Sequence, residues 1–96
     1  MVDLSDRFKQ NPNMVSREIQ GEVILVPIRQ DVGDFESIYT LNETAARTWA
    51  LLDGTRTLNE ISSQIIAEFE VADREAQNDL LELLIQLQEI GAVDSV

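Results

Sequence analysis

The sequence predicts an α+β domain of the winged helix-turn-helix kind, a three-stranded antiparallel sheet followed by three helices. Three observations predict it. Runs of strand length, rich in β-branched and aromatic residues, fill Met14 to Leu41 and are separated by Gln20-Gly21 and by the polar stretch Gln30 to Asp34. Cap residues followed by apolar positions at helical spacing fill Asn42 to Ile90. A tight Asp53-Gly54-Thr55 junction then separates two short helices, with a longer third one behind them.

Residues 1–13 are polar and end in the turn signal Gln10-Asn11-Pro12-Asn13, so they are expected to be a flexible N-terminal segment with the domain proper over 14–96. Met14 to Ile19 and Glu22 to Ile28 read as a hairpin around Gln20-Gly21. Pro27 cannot donate a ladder hydrogen bond, so the second strand ends or bulges there. The third strand, Phe35 to Leu41, puts Phe35, Ser37, Tyr39 and Leu41 on one face and Glu36, Ile38 and Thr40 on the other.

Helix one starts at Asn42 as N-cap, carries Ala45, Trp49 and Leu52 on one face and has Gly54 just past its end. Helix two opens with capping-box spacing, Thr57 to Glu60, and continues as the stripe Leu58, Ile61, Ile65 and Phe69. Helix three runs from an N-cap at Asp73 to Ile90 and is closed by Gly91; its 17 residues from Arg74 span about 25 Å.

With 96 residues, the chain holds at most one domain around one modest core. Its composition, 44% hydrophobic and 26% charged, is that of a globular chain. The absence of Cys and His removes thiolate and imidazole, hence iron–sulfur and structural zinc sites, cysteine nucleophiles and the base of a Ser-His-Asp arrangement. No metal, no cofactor and no catalytic residue is therefore expected. Asp53, Glu60, Glu68 and Glu70 are the carboxylates an acid catalyst would draw on, and they are read as caps and solvated faces.

A net charge of −11 repels phosphate backbones and anionic lipid, so neither nucleic acid nor membrane is expected as a partner. The start has no basic and apolar signal pattern, and the longest apolar run, Val23 to Ile28, is too short to span a bilayer, which makes a cytoplasmic location the expectation. A winged-helix DNA-binding regulator is the main rival. Its recognition helix would be Asp73 to Gly91, which carries one Arg against five Asp and Glu and would be repelled from a major groove.

On a helical wheel Leu80, Leu83, Leu84, Leu87 and Ile90 lie within about 80° of Ala76 and form the core stripe. Leu81, Ile85 and Gln88 point to another side. That second apolar patch is either buried on the sheet or a groove for a partner. The third strand has a free edge, so an extended peptide could add to residues 36–40 and place alternate side chains against helix three.

The string Tyr39-Thr40-Leu41-Asn42-Glu43-Thr44-Ala45-Ala46-Arg47-Thr48-Trp49, continuing through Leu51-Leu52-Asp53-Gly54-Thr55-Arg56-Thr57-Leu58 to Glu60-Ile61, resembles the PqqD family. Glu68-Phe69-Glu70-Val71 and the Leu-rich helix ending Ile90-Gly91-Ala92-Val93 extend the resemblance over roughly Met14 to Val93. These residues are structural: Asn42 caps, Trp49 packs, Gly54 takes a positive φ, and Thr57 with Glu60 starts helix two.

The resemblance implies a peptide chaperone that binds the leader of a ribosomally made precursor peptide between the third strand and the third helix. Such a protein presents the peptide to a modifying enzyme, in the name-giving system a radical S-adenosylmethionine enzyme on the route to pyrroloquinoline quinone. The sequence lacks the family's Pro-Glu step before the Leu-Asn motif and has the acidic connection Asp31 to Glu36 instead, which points to a different modified peptide. The expected peptide-binding set is Glu36, Ser37, Ile38, Tyr39 and Thr40 on the strand with Leu81, Leu84, Ile85 and Gln88 on the helix. A general protein–protein adaptor is the remaining alternative.

Overall fold

The computed structural model describes residues 2–27 and 39–96. Its first element is strand β1, Arg7–Gln10, which carries a single apolar side chain, Phe8, that is 2% exposed. The expectation of a flexible segment over 1–13 is thereby corrected. Phe8 sinks into the core while Arg7, Lys9 and Gln10 stay in solvent, the alternation that a half-buried strand requires. Gln10 Nε2 donates to the Trp49 carbonyl at 2.6 Å, and Asn11 N donates to the Ala92 carbonyl at 2.9 Å.

Strands β2, Met14–Ile19, and β3, Glu22–Pro27, form the expected hairpin, in register from Met14 opposite Pro27 to Ile19 opposite Glu22. Gln20 and Gly21 both have positive φ, 52° and 84°, the conformation whose twist matches the flanking strands in a two-residue loop. Strand β3 is described as far as Pro27, so the expectation that it ends or bulges there runs into residues outside those described. Strand β4, Tyr39–Leu41, pairs antiparallel with β3 through Ile24 opposite Thr40. The rest of the expected third strand, Phe35 to Ile38, lies outside the described residues, as do Ile28 and the turn over Gln30 to Asp34.

Helix α1, Glu43–Leu51, begins where Asn42 Oδ1 accepts the Ala45 amide at 2.8 Å. It ends at Leu52, φ −80°, so Gly54 stands two residues past the cap with the positive φ expected of it, although it does not itself form the cap. Gly54 instead lies in strand β5, Asp53–Thr57, with φ 83° and only 3.4 Å between its would-be Cβ and both Lys9 Cβ and Val96 Cγ2. The irregular pairing of β5 with β1 falls at that point, between Arg7 and Lys9.

Helix α2, Leu58–Phe69, has the predicted capping box in both directions. Its two leading amides are capped by the N-terminal segment: Leu58 N donates to the Asp6 carbonyl at 2.9 Å and Asn59 N to the Leu4 carbonyl at 2.8 Å. Thr57→Ala is expected to cost about 1 kcal/mol, read as a shift of the urea midpoint. The Glu60 carboxyl is held below its ordinary range, first by the Thr57 amide and then by its hydroxyl. A depressed value means that this contribution is complete above the ordinary glutamate range and lost as pH falls through the folded, lower value.

Helix α3, Asp73–Glu89, has Ala72 as its N-cap with no side-chain bond, so Asp73 is corrected from cap to first helical residue, where its charge faces the positive end of the helix. At the other end Gly91, φ 71°, donates to the Gln88 carbonyl at 3.1 Å while Ala92 donates to Leu87 at 2.8 Å, the Schellman pattern. Strand β6, Val93–Ser95, then returns to pair with β1.

Among the described residues all the pairings are antiparallel, in two three-stranded sheets ordered β5-β1-β6 and β2-β3-β4. With the three helices they make the α+β, winged-helix-like architecture. One core joins both sheets and all three helices through Phe8, Leu25, Leu41, Trp49, Leu58, Ile61, Leu80, Leu84 and Leu87. Among the described residues no helix is long and apolar enough to cross a membrane.

Candidate functional site

Strand β4 has a neighbour on one side only, β3, so its outer edge is unpaired among the described residues. Beyond it the surface dips into a cleft of about 450 Å³ whose near wall is Tyr39 and Thr40 and whose far wall is α3. Capping of α1 by Asn42 places Thr44, Ala45 and Thr48 along its side, and Ser62 and Ile65 of α2 contribute to its lining. The Tyr39 hydroxyl reaches across to donate to Gln86 Oε1, tying the strand to the helix.

The face of α3 that forms the wall is Glu75, Ala76, Asp79, Leu83 and Gln86, with Leu80 beneath and Glu82 on the rim. Glu75, Asp79, Glu82 and Gln86 follow one another at spacings of four, three and four, which aligns them along one side of a helix. Leu83 is half-buried and supplies apolar surface. Among the described residues, the charged ones lining the cleft are carboxylates. The ion pairs among the described residues are elsewhere, Arg47 with Glu68 and Arg56 with Asp53.

Of the expected peptide-binding residues, Tyr39 and Thr40 line this cleft, and Glu36, Ser37 and Ile38 lie outside the described residues. Of the helix residues, Leu84 is corrected, and the other three lie away from this cleft. Leu84 is 0% exposed and packs in the core, where it offers no surface to a ligand. Leu81, Ile85 and Gln88 lie on another side of α3 from the cleft wall; Leu81 packs half-buried against the core, Ile85 is exposed, and Gln88 sits beside the N-terminal strand near Arg7 and Ser95. The wall residues Glu75, Asp79 and Gln86 were not anticipated. Polar residues on a helix read as a solvated face, and only the approach of β4 makes that face a wall.

Ser62 is the one buried side-chain oxygen without a hydrogen-bond partner among the described residues, at 1% exposure. Its neighbours are satisfied: Thr48 Oγ1 donates to the Thr44 carbonyl at 3.0 Å and Ser63 Oγ to Asn59 at 3.1 Å.

Of the carboxylates considered for acid catalysis, Asp53, Glu60 and Glu68 are tuned the wrong way for it. The Thr55 amide and hydroxyl hold Asp53 below the ordinary range, and Arg47 with Gln64 does the same for Glu68, whereas a general acid needs a raised value. Glu60 is occupied in its capping box, and Glu70 ends α2 in a left-handed conformation. Among the described residues no group of three or more acidic side chains is arranged to hold a metal ion.

Comparison with known proteins adds two findings. Residues 22–93 match the family model of coenzyme PQQ synthesis protein D, PqqD. The solved structure of TbiB1 in complex with the TbiA(beta) leader peptide superposes with a TM-score of 0.73 at 26% identity, covering 90% of this chain and 94% of that one. No curated protein matches the chain.

Proposed function

The chain belongs to the PqqD family, and from that premise we propose that it binds the leader of a ribosomally made precursor peptide in the cleft between β4 and α3. The bound leader adds a strand to the free edge of β4, its backbone groups taking the unpaired positions there while alternate side chains enter the cleft. The observation that carries this reading is the coincidence of a sheet edge unpaired among the described residues with a cleft walled by a helix. The leader peptide bound to the structurally similar TbiB1 supports it. Held by its leader, the remainder of the precursor is presented to a modifying enzyme, a radical S-adenosylmethionine enzyme or another peptide-modifying one, and the chain itself performs no chemistry. The cytoplasm, where precursors are made, is the proposed location.

Ordering about eight leader residues costs on the order of 8–16 kcal/mol of backbone entropy, so strand pairing needs side-chain anchors beside it. Leu83, Ala45 and Ile65 provide apolar surface for them. Calorimetric titration with the leader encoded beside the gene tests the assignment. Gln86→Trp, which fills the cleft from an exposed position, is expected to weaken binding by about tenfold or more with the melting temperature retained. Ile85→Asp is expected to bind like the parent. A parent chain that fails to bind overturns the leader reading, and a Gln86→Trp chain that binds normally moves the site out of the cleft.

A further inference from the structure

Resting on that reading, we propose that the cleft selects a basic peptide segment, whose Lys or Arg side chains pair with Glu75, Asp79 and Glu82 and one of whose polar groups satisfies Ser62 Oγ. The three carboxylates project from consecutive turns of α3, all exposed and none in an ion pair among the described residues. By helical rise they cover about 10 Å along the axis, a length that an extended peptide lying alongside crosses in about three residues. A cation there gains attraction from several carboxylates at once, in a cleft whose low-dielectric walls focus the field. An acidic segment would meet the same field as repulsion, so the wall discriminates by sign as well as by shape.

Ser62 also points to a polar ligand. Its hydroxyl can donate and accept, is buried among the cleft-lining residues, and has no partner among the described residues. An unpartnered buried polar atom is rare in a folded protein and needs an explanation. A peptide amide, carbonyl or ammonium entering the cleft gives it one. The ligand chemistry that fits both features is a cation-bearing peptide: its backbone can satisfy the hydroxyl, whereas an apolar segment would leave the carboxylates unmatched.

A random-sequence peptide display library selected against the full chain tests this without knowledge of the natural leader. Enriched peptides are expected to carry an excess of Lys and Arg, to bind more weakly at high salt, and to lose about tenfold or more in affinity for Glu75→Lys/Asp79→Lys/Glu82→Lys. Charge-swapped versions of the same peptides, with Lys and Arg replaced by Glu, are expected to bind that triple variant and not the parent. Ser62→Ala is expected to melt at the parental temperature or above, because it removes an unsatisfied group, and to bind the enriched peptides more weakly. Neutral or acidic winners that Gln86→Trp still blocks overturn the basic specificity and leave leader binding in place. No enrichment, or winners that bind Gln86→Trp as well as the parent, overturns the specificity and the cleft together. Unchanged affinity of Ser62→Ala removes the hydroxyl from the proposal.

Discussion

Leu84→Asp is expected to unfold the chain, whereas Ile85→Asp, one residue further along α3, is expected to leave it folded. Successive helical residues point about 100° apart, and here that rotation carries a side chain from 0% to 47% exposure. An unpaired carboxylate in the apolar core has no partner to offset its desolvation and costs many kcal/mol as an ion, or several even when protonated. A domain of this size has only about 5–15 kcal/mol of stability in total, and losing the Leu84 side chain alone removes about 2–5 kcal/mol of it. The expected readout for Leu84→Asp is a weak helical circular dichroism signal with no cooperative melting transition. Ile85→Asp is expected to change stability by no more than about 0.5 kcal/mol. A folded Leu84→Asp would overturn the placement of α3, and an unfolded Ile85→Asp would show that its outer face is buried after all.

The second large effect is expected at the start of the chain. Phe8→Ala is expected to cost about 3–5 kcal/mol, read as a fall in the urea midpoint at unchanged slope. Phe8 is 2% exposed, and the strand that carries it lies between β5 and β6, so its loss opens a void at the centre of a sheet. The same segment also caps α2 through the Leu4 and Asp6 carbonyls, so loosening β1 frees two helix-terminal amides as well. Phe8→Leu keeps most of the volume and is expected to recover much of the loss. A cost below about 1 kcal/mol for Phe8→Ala would mean that residues 7–10 are peripheral to the fold.

Both predictions turn on where local sequence signals run out. A capping box, an Asn N-cap, a Gln-Gly hairpin loop and a glycine after a helix act within a few residues, and each formed where the sequence predicted it, at Thr57–Glu60, Asn42, Gln20–Gly21 and Gly91. Strand β1 has no such signal. One Phe among Arg, Lys and Gln shows no alternating apolar run, and its partners come from the middle and the end of the chain. Strand β5, Asp-Gly-Thr-Arg-Thr, has no apolar residue and reads as a turn; pairing with β1 makes it a strand.

The sequence by itself determined the α+β class, the family, the hairpin, the three helices and, in Leu80, Leu84 and Leu87, most of the core stripe of α3, because periodicity and capping are encoded residue by residue; Leu83 and Ile90 are only half-buried. Tertiary structure alone decided which remaining side of α3 faces β4. A helical wheel orders side chains around an axis but is silent on what lies beyond them, so it marks the apolar side of Leu81 and Ile85 and passes over the polar side that meets β4. The rotation of α3 is set by burying Ala76, Leu80, Leu84 and Leu87 against the common core. That packing turns Glu75, Asp79, Leu83 and Gln86 toward the strand and leaves Ile85 in solvent. The cleft is therefore a product of how two distant elements meet, and its acidic wall became legible only when they did.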